Sequence, residues 1–157
     1  MFERRPHRLL FVCTGNLCRS PMAAGFAKAY ADARGIPVEV RSAGLAGFEG
    51  RPAEATAVRV MNEADIDITD HRSTGLPEEL VKWADYILVM ELGQASEVRR
   101  RYPEADARVM LLGNFGGTFE IPDPMGGWRW RFRRVRAQIK TSVEGFLDQL
   151  PRKTSGA

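Results

Sequence analysis

Four short apolar runs punctuate the chain, and between them apolar residues recur three and four positions apart. The runs are Arg8 to Val12, Val38 to Ala43, Tyr86 to Met90 and Arg108 to Leu112. Their length and branched or aromatic content predict strands. Tyr86-Ile87-Leu88-Val89-Met90, apolar throughout, predicts a strand covered on both faces. The intervening periodicity predicts helices from Pro21 to about Arg34, with Met22, Phe26, Ala27 and Tyr30 in register and Gly35 as the stop, and from Pro52 to about Ala64. Further helices are expected over Pro77–Ala84, over Gln94–Tyr102 with Pro103 as its breaker, and from Trp128 to about Leu150. Strands alternating with helices point to one α/β domain spanning residues 1–157, a parallel sheet with helices on both faces and right-handed crossovers. Residues 1–7, a basic tail, and 152–157 are expected to be poorly ordered.

The final helix has two unlike faces. Trp128, Phe132, Val135, Ile139, Val143, Phe146 and Leu150 fall on one stripe, whereas the other face is basic. Residues 128–140 hold five arginines and one lysine without a single acid, in a chain whose overall formal charge is +3. Such a face is either a solvated helix surface or a positive rim that draws anionic, phosphorylated targets. Because the aromatics of Arg-Trp-Arg-Phe-Arg-Arg fall on or near the apolar stripe, nucleic acid is not the expected partner.

The densest chemistry follows the first strand. Cys13-Thr14-Gly15-Asn16-Leu17-Cys18-Arg19 runs into Ser20-Pro21, an N-cap residue followed by a proline suited to the first helical position. A seven-residue arc closing onto a helix start turns successive N–H groups inward as an anion nest, reinforced by the helix dipole. A thiol at Cys13 in that field is drawn toward its nucleophilic thiolate, and the planar guanidinium of Arg19 matches two phosphoryl oxygens. Gly15 would allow close backbone approach, and Asn16 tolerates a left-handed conformation. Farther along, Asp123-Pro124 lies in a glycine-rich stretch, Gly113 to Gly127, that reads by itself as a turn.

Cys13 to Pro21 resembles the signature loop of the low-molecular-weight protein tyrosine phosphatases. Ser42-Ala43-Gly44 and Asp123-Pro124 resemble that family's marker after the second strand and its general-acid loop, so the resemblance runs from Arg8 to about Leu150. It implies strand order 2-1-3-4 and a phosphate-binding loop formed by Thr14, Gly15, Asn16, Leu17, Cys18, Arg19 and Ser20. It also implies Cys13 as nucleophile, Arg19 as phosphate clamp and Asp123 as general acid. Asn16, Ser20, Ser42 and His71 would form a supporting network, with Phe48, Leu17 and Met125 as substrate walls and Cys18 as redox partner of Cys13. The substrate would be a phosphotyrosine-containing protein or peptide, with no cofactor and no metal. Two features bear on specificity. The tyrosine-specific branch carries an aliphatic residue at the position of Leu17 and the arginine-specific branch a threonine. Against that, an aromatic usually follows Asp-Pro in the tyrosine enzymes, and Met125-Gly126-Gly127 follows here. A protein-arginine phosphatase is therefore the principal rival, and a silent phosphate- or nucleic-acid-binding module a lesser one.

Composition narrows the alternatives. At 44% hydrophobic and 27% charged the chain suits a globular domain, without a signal peptide or a run apolar enough for a membrane. Two cysteines and two histidines are too few and too dispersed for a structural zinc site. Two cysteines five residues apart suggest a reducing cytoplasm, and they leave no further thiols for the disulfide relay of an arsenate reductase.

Overall fold

The computed structural model describes residues 5–151. Four strands, β1 (His7–Cys13), β2 (Val38–Gly44), β3 (Tyr86–Val89) and β4 (Val109–Leu111), form one parallel sheet in the order β2-β1-β3-β4. Central β1 divides its side chains by alternation. Leu9 and Phe11 enter a core with α1 (Arg19–Arg34), α2 (Ala55–Glu63) and α5 (Arg129–Gln149). Leu10 and Val12 enter a second core with α3 (Glu78–Trp83) and α4 (Leu92–Arg101). The strand order reverses at β1, so the crevice beyond its carboxyl end is where an open α/β sheet takes its ligand. Cys13 sits there. No helix among the described residues is long and apolar enough to cross a membrane.

Element types match the sequence expectations, and several ends move. A 3-10 turn, Pro103–Arg108, fills what the sequence left as a break before β4. Glu54, not Pro52, starts α2, its carboxylate accepting from the N–H groups of Thr56 at 2.8 Å and Ala57 at 3.3 Å. The expected basic tail is shorter than predicted: His7 pairs with Val38 in the sheet, and Arg5 grips Asp85 at 2.7 Å. Residues 1–4 and 152–157, the remaining expected tails, lie outside the described residues.

Two corrections concern helix starts. Helix α1 begins at Arg19, two residues before Pro21, and no side chain caps it. Ser20 is thus not an N-cap; it is fully buried and its hydroxyl is used elsewhere. In α5 the apolar stripe begins at Phe132, which is 2% exposed, whereas Trp128 is 79% exposed. Trp128 precedes the helix, at φ −71° and ψ 165°, so the helical cycle does not set its direction. The indole of Trp128 therefore does not join the core as expected, and that of Trp130, within α5, is exposed as well.

Candidate active site

The arc from Cys13 to Arg19 is held from outside by its carbonyls. Those of Cys13 and Thr14 accept from the N–H groups of Leu45 at 3.1 Å and Ala46 at 2.8 Å; those of Leu17 and Cys18 accept from Glu54 at 2.9 Å and Met22 at 3.0 Å. The Asn16 carbonyl takes a 2.7 Å bond from His71 Nε2. With five carbonyls drawn outward, the peptide units turn their N–H groups toward the interior of the arc, beside the uncapped start of α1. That is an anion cradle built of backbone.

Asn16 is the pin of this loop. It adopts φ +57° and is fully buried. Its side-chain amide donates to Ser20 Oγ at 2.7 Å and Ser42 Oγ at 3.0 Å, while its Oδ1 accepts from Thr74 N at 2.9 Å. Both amide hydrogens and the oxygen have partners, so the amide orientation is fixed by them. Beside it, a Cβ at Gly44 would lie 2.8 Å from Asn16 Cβ and 2.9 Å from Asn16 N. Within the protein, Gly44 is thus a glycine that close packing against the loop requires, whereas a Cβ at Gly15 would meet Leu17 and Phe48 at an ordinary 3.7 Å.

The Cys13 sulfur receives an N–H from Asn16 at 3.3 Å and lies 3.0 Å from Ser20 Oγ. Since that hydroxyl oxygen accepts from Asn16, its own proton is free to point at sulfur. Both contacts aim donors at the sulfur. Cys18 differs. Burial, helped by the negative charges of Glu54 and Asp123, pushes its thiol well up and keeps it neutral, 3.9 Å from Met125 Sδ. His71 is shifted below its ordinary value: burial first, with Lys28 and Arg72 adding to it, lowers its pKa, outweighing the bond to Asn16. The neutral ring must carry its proton on Nε2, because a carbonyl can only accept.

Arg19 is 2% exposed. Its Nη1 donates to Glu91 Oε2 at 2.8 Å and to the Ile121 carbonyl at 2.9 Å, and its Nη2 stands 3.9 Å from Asp123 Oδ2. Gln94 ties Glu91 Oε2 at 3.2 Å to Thr14 Oγ1 at 3.1 Å. Glu91, Gln94 and Ile121 were not picked out from the sequence. Their one signal was position: Glu91 and Gln94 follow the carboxyl end of β3, next to β1. Asp123 sits on the rim, its side chain 53% exposed and its Oδ1 accepting from Met125 N at 3.0 Å.

Cys13, Thr14, Gly15, Leu17, Cys18, Arg19, Phe48, Asp123 and Met125 surround one cleft of about 180 Å³. Of the residues proposed from sequence, Asn16, Ser20, Ser42 and His71 stand behind this wall and brace it. Phe48 is covered on one side by the Arg51 guanidinium, 4.1 Å from its ring centre.

Residues 8–155 match the family model described as low molecular weight phosphotyrosine protein phosphatase. The chain belongs to that family. A protein-arginine-phosphatase from Geobacillus stearothermophilus is 38% identical over 92% of this chain and 97% of its own, and the structure of that arginine phosphatase superposes with a TM-score of 0.83. A probable low molecular weight protein-tyrosine-phosphatase, EpsP, from Ralstonia solanacearum is 37% identical over 90% of this chain and 94% of its own. The crystal structure of a low molecular weight protein tyrosine phosphatase from T. tengcongensis gives a TM-score of 0.87 at 36% identity, covering 92% of this chain and 99% of that one. Overall identity thus does not separate the tyrosine from the arginine branch.

Proposed function

We propose that the chain hydrolyses phosphotyrosine in proteins or peptides, without a metal, through a cysteinyl-phosphate. The carrying observation is the convergence of an inward-facing backbone cradle, the Cys13 sulfur and the Arg19 guanidinium on one cleft with a carboxyl group at its rim. Cys13 attacks phosphorus in line, forming the S–P bond as the P–O bond breaks, and Asp123 gives its proton to the departing phenolic oxygen. Water then attacks the cysteinyl-phosphate with Asp123 as base, returning the sulfur as thiolate, which the Ser20 hydroxyl and Asn16 N–H stabilise as leaving group. The cradle N–H groups and Arg19 hold the equatorial oxygens through both steps and supply the positive field that a metal supplies in other phosphatases. Thiol chemistry of this kind suits a reducing cytoplasm, where we place the protein.

For the choice of phosphoryl donor, the wall of Leu17, Phe48 and Met125 supports an aromatic ring. Asp123 is the one carboxylate lining the cleft among the described residues, and the Thr14 hydroxyl already accepts from Gln94. A guanidinium entering there would lose water at N–H groups that find few acceptors. The rival, phosphoarginine, rests on the 38% identical arginine phosphatase and on Gly126-Gly127 after Met125. Turnover of matched phosphotyrosine and phosphoarginine peptides, in EDTA, decides between them. Phosphotyrosine is expected to be preferred, and Leu17→Thr to narrow the preference; faster turnover of phosphoarginine by the unmodified protein would overturn the reading, as would activity that EDTA abolishes and a divalent ion restores.

A further inference from the structure

Trp128 and Trp130 are the two most exposed large apolar side chains among the described residues, at 79% and 56%. Indoles left in water so close together in sequence mark a surface that meets a partner. With Arg129 and Arg133 they line an open cavity of about 520 Å³. Its place relative to the cleft is fixed by a tight turn. Gly127 N bonds the Pro124 carbonyl at 2.9 Å, and Gly126 takes φ +79°. Such a turn keeps its ends within about 7 Å of one another. Trp128 follows directly, so the indole ledge adjoins the rim that carries Asp123 and Met125.

The cleft itself, at about 180 Å³, takes a phosphoryl group and a side-chain ring. Residues on either side of a phosphorylated residue must cross the surface outside. The charge of the ledge says what those residues are. Arg133 and Arg136 are both held by Glu63 at 2.8 Å. Arg129, Arg131 and Arg134 form no ion pair with a carboxylate among the described residues, and the Arg131 guanidinium lies 5.7 Å from the Trp130 ring centre. Unneutralised cations interleaved with indoles complement carboxylates and aliphatic stems on one short extended segment.

We propose that Trp128, Arg129 and Trp130, bordered by the Glu63-paired Arg133, form a docking ledge for acidic residues flanking the phosphorylated residue, so that the protein selects phosphorylated segments with glutamate or aspartate beside the reacting group. This rests on the phosphatase reading above. The ledge acts on binding of the flanks and leaves the chemical step untouched.

The test compares three peptides, identical except for Glu, Gln or Lys on both sides of whichever phosphorylated residue the protein hydrolyses faster, with p-nitrophenyl phosphate as a substrate that has no flanks. The expected result is a kcat/KM on the order of tenfold higher for the Glu peptide than for the Gln peptide, the size of an anchoring contact. The gain should lie in KM and shrink as salt rises. Trp128→Ala/Trp130→Ala and Arg129→Gln should each bring the Glu peptide toward the Gln peptide while p-nitrophenyl phosphate turnover stays unchanged. Equal kcat/KM for all three peptides, with p-nitrophenyl phosphate still hydrolysed, overturns the ledge and leaves the phosphatase reading standing. Equal peptides together with binding to phosphatidylserine vesicles that the paired tryptophan variant loses would assign the ledge to a lipid surface instead. No turnover of any of the four substrates overturns the phosphatase reading, and the ledge with it.

Discussion

The arc from Cys13 to Arg19 and the loop that carries Asp123 line the same cleft and are built on opposite plans. In Cys13 to Arg19, Cys13, Asn16, Cys18 and Arg19 are buried, five carbonyls are tied outward, and the one left-handed residue, Asn16, is bonded through both side-chain polar atoms. The loop of Asp123 is tied at fewer points, among them the Glu120 carboxylate, which accepts from Leu92 N at 2.8 Å, and the buried Pro124. Ile121, fully buried, donates to the Met90 carbonyl at 2.9 Å and accepts from Arg19, and beyond it Asp123 and Met125 are largely exposed. The loop that binds charge works best with its dipoles fixed in advance, since reorganising them during reaction would cost what the cradle gains. A proton donor must reach leaving oxygens that differ in position from one substrate to the next, and a loosely held rim suits that task.

The sharpest break of this comparison is a pair of substitutions, one on each loop. Cys13→Ser removes the proposed nucleophile and is expected to lower kcat by at least about 10⁴-fold, while phosphate binding, measured by calorimetry, persists in the intact cradle. Asp123→Ala should slow phenyl esters by roughly 10² to 10⁴-fold. Its thermal stability should match the parent, because the side chain is half in water and accepts only the Met125 N–H. An Asp123→Ala protein as fast as the parent on a poor leaving group would place the acid elsewhere.

Gly44→Ala probes the braced side without touching a reacting atom. The new methyl would stand 2.8–2.9 Å from Asn16 Cβ, Asn16 N and the Gly15 carbonyl carbon, two of them backbone atoms that can yield only by shifting the loop. A loss of about 1–3 kcal/mol in chemical denaturation is expected. Phosphate affinity should fall as well, which Asp123→Ala should not cause. Unchanged phosphate affinity at reduced stability would show that the cradle tolerates displacement and that the contrast between the loops is overstated.

How much of this was legible in the chain depends on the distance over which each contact acts. The strands, the loop motif and the residues in Cys13–Arg19 announce themselves within a few positions, where apolar runs and local spacing determine the outcome. Glu91, Gln94 and Ile121 reach Arg19 or Thr14 across 72 to 102 residues, and nothing in their own neighbourhoods marks them. Ser20 carried a valid capping signal that the structure spends on Cys13 and Asn16, since a capped helix would occupy N–H groups the anion needs. Trp128 was misplaced because the 3.6-residue cycle was extended one residue past the helix start, where the backbone no longer obeys it.

A smaller effect separates the two cysteines. Both line the cleft, but Cys13 has donors aimed at its sulfur while burial holds Cys18 as a thiol. Mild peroxide is expected to oxidise Cys13 first, to a sulfenic acid that condenses with Cys18 to a disulfide and releases water, and thiol reductants should restore activity. Peptide mass spectrometry checks the order. Sulfinic acid on Cys13 with Cys18 still free would mean that the neutral, buried thiol resolves too slowly to protect the nucleophile.

The smallest effect concerns pH and acts through His71. Its pKa is lowered on folding from an ordinary value of 6.5, so the unfolded chain binds the proton more readily. The stability that comes from keeping the ring neutral is fully present above about pH 6.5 and is lost as pH falls from there through the depressed folded value. Carboxylates held low by arginines act in a separate window. Glu63, bonded by Arg133 and Arg136, and Glu97, bonded by Arg100 and Arg101, are both lowered from 4.5 to about 2, so their contribution is present above pH 4.5 and lost between there and about pH 2. Chemical denaturation across pH 7 to 5 therefore isolates the histidine from these pairs. The free energy of unfolding should decline over that range, and His71→Gln, which can still donate to the Asn16 carbonyl but cannot titrate, should flatten the decline. Because the bond partner is the backbone of the loop's central residue, phosphate affinity should follow the same curve in the parent and lose its slope in the variant. Parallel slopes in parent and variant would show that the cradle is fixed by its other carbonyl ties alone, with His71 a spectator to its proton balance.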